Sequence, residues 1–267
     1  MSRIKISDMT MRCTGKSEGG KMSFREKLEL VKLLDRLGVS VIEVSPIVNA
    51  KIDRLLIKSI SSAVRESAVA VSVGLTEEYI DLAWAALEEA KHPRLQIAAP
   101  VSAVQMEYLL GKKPAAVLES VKALVARARA LCEDVEFIAD DATRSDSAFL
   151  YEIVDAAIAA GASTVTLCDA AGQMLPDQFA DFLGDVYDHV PALRDVTLGV
   201  ACKNDLSMAD SCAVAAIRSG DDIKTVQGNL GHATAAFTLD VYGHVTYQMK
   251  QDSANRMEAF IKSVSSS

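Results

Sequence analysis

Residues 135–167, VEFIADDATRSDSAFLYEIVDAAIAAGASTVTL, contain a short apolar run, an amphipathic stretch and a second apolar run. The run Val135–Ile138 is typical of a strand, and the apolar spacing over Ser145–Ala160 predicts a helix that ends at the turn before Gly161. Val165–Leu167 predicts the next strand. The stretch is therefore one βα unit followed by the start of another.

The same alternation extends along most of the chain. Strands are predicted at Ile4–Ser7, Val39–Val44, Val69–Gly74, Leu95–Ala98, Val135–Ile138, Val165–Leu167 and Val196–Val200. The helices between them are predicted at Ser23–Leu37, Ala50–Glu66, Glu77–Ala90, a long region ending at Leu131, Ser145–Ala160, a helix starting near Pro176, and Leu206–Ser219. Repeated βα units build a parallel sheet, either open or closed. Their number favours an α/β fold of the TIM (β/α)₈ barrel type, with a last βα unit that is atypical or replaced.

The composition excludes several classes of protein. The 267 residues are 50% hydrophobic and 24% charged, as in globular proteins, and the net charge of -8 disfavours nucleic acid as a partner. The odd number of cysteines (5) and the lack of a secretory signal predict a reducing, cytoplasmic environment. No apolar run approaches the length of about 20 residues that a membrane helix needs.

In a barrel of this type, the chemistry occurs at the carboxyl ends of the strands. The polar residues at those positions are Asp8, Arg12, Glu43, Ser72, Asp140, Asp141, Asp169, Lys203, Asn204 and Asp205. Asp140 and Asp141 are adjacent, and neighbouring strand residues point to opposite faces, so we expect one of them in a loop or cap. Thr143 and Ser145 are competing caps for the helix that follows.

Five segments in this order resemble the family of isopropylmalate synthase, homocitrate synthase and hydroxymethylglutaryl-CoA lyase over residues 1 to about 213. They are ISDMTMRCTG (6–15), IEV (42–44), DDATRSD (140–146), LCDAAG (167–172) and CKND (202–205). The resemblance implies a barrel that makes or breaks a carbon–carbon bond of a 2-oxo acid or acyl-CoA. The bond changes through an enolate held on a divalent metal.

The resemblance also implies roles for individual residues. Arg12 matches the catalytic arginine that stabilises the enolate, Glu43 matches a glutamate on the second strand, and Asn204 and Asp205 match the Asn-Asp pair after the metal-binding histidines. We assign catalysis to Arg12, Glu43, Lys203 and Asp205. Substrate binding is assigned to Asp8, Asp141, Asp169 and Asn204.

The sequence departs from the family at the metal ligands. Cys13 replaces the aspartate that follows the arginine, and Ala201 and Lys203 replace the two histidines. Magnesium and manganese prefer oxygen ligands, which a thiol and an ammonium do not supply, so we expect no metal to bind. We expect the Cys13 thiol to be inert.

Three uses of Lys203 stay open. Its charge can replace part of the cation's electrostatic role or fill its space; it can form a Schiff base with a 2-oxo acid; or it can pair with Asp205, Asp169 or Glu43.

The C-terminal end resembles a different family. Residues 222–245, DIKTVQGNLGHATAAFTLDVYGHV, are similar to the end of tyrosine recombinases (phage integrases), in which His232 would activate the phosphate and Tyr242 would be the nucleophile. The His-x-x-Arg box that such enzymes need does not occur in residues 1–215. The resemblances divide the chain into a barrel domain, 1–215, and a recombinase-like segment, 216–267.

Two structural questions follow from this division. Residues 222–228 fit either a helix or the eighth strand, and we favour the strand because closing the sheet satisfies more hydrogen bonds. The apolar stripe Ala254, Met257, Phe260, Ile261 and Val264 fits a last barrel helix or a homo-oligomer interface. The functional alternatives to enolate chemistry are a fragment acting in DNA recombination and a non-catalytic scaffold.

Overall fold

The computed structural model describes residues 4–13, 22–49, 51–219 and 223–228, with residues 216–219 and 223–228 described as backbone only. Residues 1–229 form one compact unit, and residues 230–267, grouped as a second unit, lie outside the described part. His232, Tyr242 and the apolar stripe of residues 254–264 therefore lie outside it as well.

Eight parallel strands close into a barrel in sequence order. They are β1 Lys5–Asp8, β2 Val41–Val44, β3 Ala68–Val73, β4 Pro93–Pro100, β5 Val135–Asp140, β6 Thr164–Asp169, β7 Thr197–Cys202 and β8 Ile223–Gly228. The predicted fold class is confirmed, and residues 223–228 form a strand rather than a helix. β8 pairs with β1 on one side and β7 on the other.

Helices follow the strands along the chain. They are α1 Thr10–Cys13, α2 Phe24–Leu37, α3 Ile52–Ala63, α4 Glu77–Leu87, α5 Ala103–Gln105, α6 Pro114–Leu131, α7 Ser147–Ala159, α8 Pro176–His189 and α9 Ala209–Ser219. α2 begins after Ser23, whose side chain accepts from Glu26 N while Glu26 bonds back to Ser23 N. It ends at Gly38, whose φ of 84° suits the left-handed turn.

Two local predictions differ from the structure. The long helical region predicted to end at Leu131 is divided, because a π-helix, Met106–Leu110, ends at the left-handed Gly111 and Pro114 starts α6 anew. The N-cap of α7 is neither Thr143 nor Ser145. Asp146 caps this helix by accepting from Phe149 N at 3.0 Å, while Ser145 Oγ donates to Val101 O at 2.9 Å.

The barrel and its helices enclose an apolar core, to which the strands contribute Val71, Ile97 and Leu167 and the helices Val121 and Ile153, all fully buried. None of the helices in the described part of the chain has both the length and the apolar character that a membrane crossing requires.

The interior of the barrel, by contrast, contains charged and polar side chains. Glu136 of β5 is fully buried and accepts from Gln96 Nε2 at 3.0 Å and Arg94 Nη1 at 3.3 Å. Thr166 Oγ1 donates to the other Glu136 oxygen. Buried charges are tolerated when they are paired and hydrogen-bonded. Because the partners of Glu136 come from β4 and β6, its network depends on close contact between neighbouring strands.

The close contact between β6 and β7 can be tested by a substitution at Gly199, which lies on β7. A Cβ atom added at Gly199 would lie 2.4 Å from Thr166 Oγ1, which is already bonded to Glu136. We expect Gly199→Ala to lower the free energy of unfolding by about 1–3 kcal/mol, as overpacking does in cores. Denaturant unfolding measures the change.

Gly184, in α8, provides the matched control, because an added Cβ meets nothing within 4 Å there. We expect Gly184→Ala to be neutral or to stabilise by up to about 1 kcal/mol, since alanine favours the helix. Equal effects of the two substitutions would contradict the packing described for the barrel interior.

Candidate active site

Arg12 and Glu43 form an ion pair at the carboxyl ends of the first two strands. Arg12 lies in α1, directly after β1, and its Nη1 donates to Glu43 Oε2 at 2.9 Å. Ser7 Oγ donates to the other oxygen, Oε1, at 2.8 Å. Glu43 is fully buried, whereas the Arg12 side chain is 27% exposed. The pair therefore holds the guanidinium at the mouth of the barrel with part of its surface open.

The electrostatics of Glu43 reflect its position inside the barrel. Burial raises its pKa, the nearby Glu136 raises it further, and Arg12 and Ser7 oppose the shift. Arg12 is thus the positive charge that makes an ionised Glu43 tolerable. Because a buried carboxylate depends on its partner, the position of Arg12 is tightly linked to Glu43.

Asp140 and Asp141 have different environments, as their adjacency predicted. Asp140 ends β5, is half-buried, and has its pKa raised by burial and by Asp141, with a smaller opposing effect of Arg12. Asp141 is fully buried in a left-handed conformation, φ 61°. Its oxygens bind Ser102 Oγ at 2.5 Å and Arg144 Nε and Nη2, both at 2.7 Å.

These contacts bear on the substrate-binding role predicted for Asp141. Its side chain has no exposed surface, and three donors occupy its two oxygens, so it anchors the β5–α7 connection to the end of β4. Asp140, which the sequence did not single out from the pair, is half-buried, and Arg12 opposes the rise of its pKa. The sequence feature that could have indicated Asp140 is its position at the end of the buried strand β5.

Asp8 and Asp169 are the last residues of β1 and β6, and both accept hydrogen bonds from the segments that follow the strands. Asp8 Oδ1 accepts from Thr10 N at 3.0 Å. Asp169 is buried and accepts from Thr143 Oγ1 at 2.9 Å, Gly172 N at 3.1 Å and Met174 N at 3.3 Å. The Asp8 contact fixes the start of α1, and the Asp169 contacts hold the loop after β6.

Lys203 and its neighbours lie at the exposed end of β7. Lys203 Nζ pairs with Asp205 Oδ2 at 2.7 Å, and the two side chains are 49% and 58% exposed. Of the carboxylates considered for Lys203, its partner is therefore Asp205. Asn204 Oδ1 accepts from Ala209 N at 3.1 Å and so fixes the start of α9.

In the part of the chain that the structure describes, no group of three or more His, Cys, Asp or Glu side chains is arranged to hold a metal ion. Cys13 is half-buried and is not in a disulfide, and the side chain of Ala201 contributes no donor atom.

The closed barrel and the Arg12–Glu43 pair place this chain in a class of protein, the α/β barrels whose polar site lies at the barrel mouth. The chain belongs to the HMGL-like family, whose model matches residues 3–257. The match includes both the barrel and a large part of the C-terminal segment.

The relatives of this chain include 2-isopropylmalate synthases. The protein from Ruminiclostridium cellulolyticum is 36% identical over 217 residues, which cover 81% of this chain and 43% of that protein. The one from Caulobacter vibrioides is 37% identical over 217 residues, 81% of this chain and 41% of that protein. This chain thus spans about two fifths of the length of these relatives.

Solved structures support the fold. Hydroxymethylglutaryl-CoA lyase from Pseudomonas aeruginosa superposes with a TM-score of 0.68 at 17% identity, covering 85% of this chain and 76% of that chain. The N-terminal domain of a putative aldolase from Bacteroides vulgatus gives 0.68 at 15% identity, covering 92% and 83%. At these identities the similarity concerns the barrel architecture.

The anchoring contacts of Asp141 lead to a stability prediction. Asp141→Asn keeps a residue that tolerates the left-handed conformation but removes the charge that Arg144 and Ser102 bind. We expect the free energy of unfolding to fall by about 2 kcal/mol, measured by denaturant titration at pH 7. Asp140→Asn is the matched control, and a larger loss for it than for Asp141→Asn would contradict the assignment.

Asp140 leads to a pH prediction. Its folded-state pKa is raised, so its contribution to stability is fully present below the unfolded pKa and is lost as pH rises through the folded pKa. We therefore expect the stability of Asp140→Asn relative to the wild type to increase from pH 4 to pH 7. Thermal unfolding at a series of pH values measures this difference. A relative stability of Asp140→Asn that falls with pH would contradict the assigned direction.

Proposed function

We propose that this barrel makes or breaks a carbon–carbon bond next to the carbonyl group of a 2-oxo acid or an acyl-CoA, through an enolate. The observation that supports it most is the ion pair in which the buried Glu43 holds Arg12 at the barrel mouth. Asp140 lies near enough for Arg12 to oppose the rise of its pKa. The family and its 2-isopropylmalate synthase members support the same class of chemistry.

Arg12 would stabilise the negative charge that develops on the carbonyl oxygen when the enolate forms. A guanidinium that is already oriented by Glu43 needs no reorganisation at the moment of reaction, which makes its charge effective. The planar guanidinium of Arg12 can bind the enolate oxygen and keep its contact with Glu43 at the same time. The compact ammonium of a lysine would make both contacts less well.

Asp140 would transfer the proton. As a carboxylate it takes a proton from the carbon beside the carbonyl, and the electrons of the broken C–H bond move onto the oxygen facing Arg12. Its raised pKa makes it a stronger base than an ordinary aspartate. Glu43 would act through Arg12 as a positioning residue.

The family resemblance implies a divalent metal, and the donor set of this chain does not fit one. A thiol at Cys13, a methyl group at Ala201 and an ammonium at Lys203 occupy the positions of an aspartate and two histidines. The Lys203–Asp205 pair puts a charged ammonium at the end of β7, where it would repel a cation. We therefore propose that the metal site is degraded. The roles proposed for Arg12 and Asp140 do not depend on a metal.

The experiment follows exchange of the α-protons of 2-oxo acids with deuterium, by NMR in D₂O, because this exchange reports enolate formation directly. We expect exchange by the wild type without added metal, and a loss of at least about 100-fold in Arg12→Ala, the effect of losing an oxyanion-stabilising group. Arg12→Lys should retain part of the rate.

Arg194→Ala is the control, because Arg194 is an exposed arginine just before β7. An exchange rate unchanged in Arg12→Ala would reject the role of Arg12. Exchange that requires manganese would reject the metal-free site. The Schiff-base alternative would instead be supported if borohydride trapped the substrate on the wild type but not on Lys203→Ala, and if this variant also lost the exchange activity.

The remaining alternatives are also testable. A DNA-recombination role would be indicated by covalent trapping of nicked DNA at Tyr242, although a net charge of -8 disfavours DNA binding. A scaffold would be indicated by a cooperatively folded protein with no exchange and no thermal shift with 2-oxo acids or acyl-CoAs. We also propose that the recombinase-like segment begins at residue 216 and supplies β8 to the barrel.

A further inference from the structure

The helix that carries Arg12 is too short to keep its position by itself. α1 comprises the four residues Thr10–Cys13, and Arg12 is the third of them. Isolated helices shorter than about 12–15 residues are marginal in water, so α1 depends on contacts with the rest of the barrel. The groups that hold α1 therefore help to decide where the Arg12 guanidinium lies.

Contacts from the first two strands hold α1. At its start, Asp8 of β1 accepts from Thr10 N at 3.0 Å and from Thr10 Oγ1 at 3.1 Å. In its middle, Ser45 Oγ donates to Met11 O at 3.1 Å, and Met11 is only 2% exposed. Ser45 is half-buried and directly follows β2, the strand that carries Glu43. α1 is thus tied to the end of β2 through its backbone.

We propose that Ser45 is a positioning residue for Arg12. Glu43 accepts from Arg12 Nη1 at 2.9 Å and so holds the tip of the side chain. Ser45 holds the carbonyl of the residue just before Arg12 and so holds the base of the same side chain. Because both contacts come from the end of β2, they fix the two ends of the arginine relative to one strand. This inference rests on the proposed function, in which Arg12 stabilises the enolate.

Removal of the Ser45 hydroxyl would remove this tie between α1 and β2. Glu43 would still bind the guanidinium, so the charge would stay in the site, but its angle to the enolate oxygen would change with the backbone of α1. A small displacement of a preorganised charge slows the chemical step, because the charge develops on the oxygen only in the transition state. We therefore expect the loss in kcat rather than in KM.

The test measures α-proton exchange of 2-oxo acids in D₂O by the full-length wild type, Ser45→Ala and Ser45→Thr. We expect Ser45→Ala to lower kcat by about tenfold, roughly the effect of one lost hydrogen bond, and to leave KM unchanged. Ser45→Thr keeps a hydroxyl at this position and should restore most of the rate. A loss in Ser45→Ala that appears in KM alone would overturn the proposal.

Ser67→Ala is the matched control. Ser67 is a buried serine whose Oγ donates to Val39 O at 2.8 Å, so it also bonds a backbone carbonyl. Its bond lies at the opposite end of the barrel, just before β3 and β2 begin. We expect Ser67→Ala to lower the melting temperature at least as much as Ser45→Ala does, with kcat unchanged. An equal loss of kcat in the two variants would overturn the proposal, because lost stability would then explain the rate.

Failure of this inference is distinguishable from failure of the proposed function. If Arg12→Ala loses the exchange and Ser45→Ala keeps the wild-type kcat, Ser45 has no positioning role and the function stands. If the wild type gives no exchange, the function fails, and the position of Arg12 is measured by its modification with phenylglyoxal, located by peptide mass. Since Arg12 is 27% exposed, we expect its modification to be faster in Ser45→Ala than in the wild type and unchanged in Ser67→Ala. Equal modification rates in all three proteins would overturn the positioning itself.

Discussion

The hydrogen bonds between β8 and β1 are the constraint on which the rest of this structure depends. Ile6 pairs with Val226, and Val226 pairs in turn with Val200 of β7, so one short strand closes the sheet. Without it, β1 and β7 would have unpaired backbone groups, which is costly in a buried parallel sheet. Closure also brings all strand ends to one rim, which is how residues distant in sequence can form one site.

Closure also explains the polar interior. Glu43 and Glu136 are both fully buried, Glu136 raises the pKa of Glu43, and each of the two carboxylates depends on donors from neighbouring elements. Ser7 and Arg12 serve Glu43, while Arg94, Gln96 and Thr166 serve Glu136. Such networks stabilise only when every partner is in place. The orientation of Arg12 at the barrel mouth is therefore a consequence of the same packing that keeps the interior folded.

The sequence predicted most elements because each leaves a local pattern. Ser23, Glu26 and Gly38 mark the ends of α2, and the apolar runs mark the strands to within a few residues. The predictions were less successful where the local pattern is ambiguous. The region before Pro114 has helical spacing but contains a π-helix, and the cap of α7 was assigned to Thr143 or Ser145 because several polar residues precede the helix.

By itself, the sequence determined the βα order, the barrel class and the candidates Arg12 and Glu43, because burial periodicity and short motifs are written along the chain. Only the tertiary structure decided that Arg12 opposes the raised pKa of Asp140, that Arg144 and Ser102 bind Asp141, and that Lys203 pairs with Asp205. These outcomes depend on distances between side chains after the sheet closes and the loops settle. No periodicity records such distances, since they are set by packing across the whole barrel.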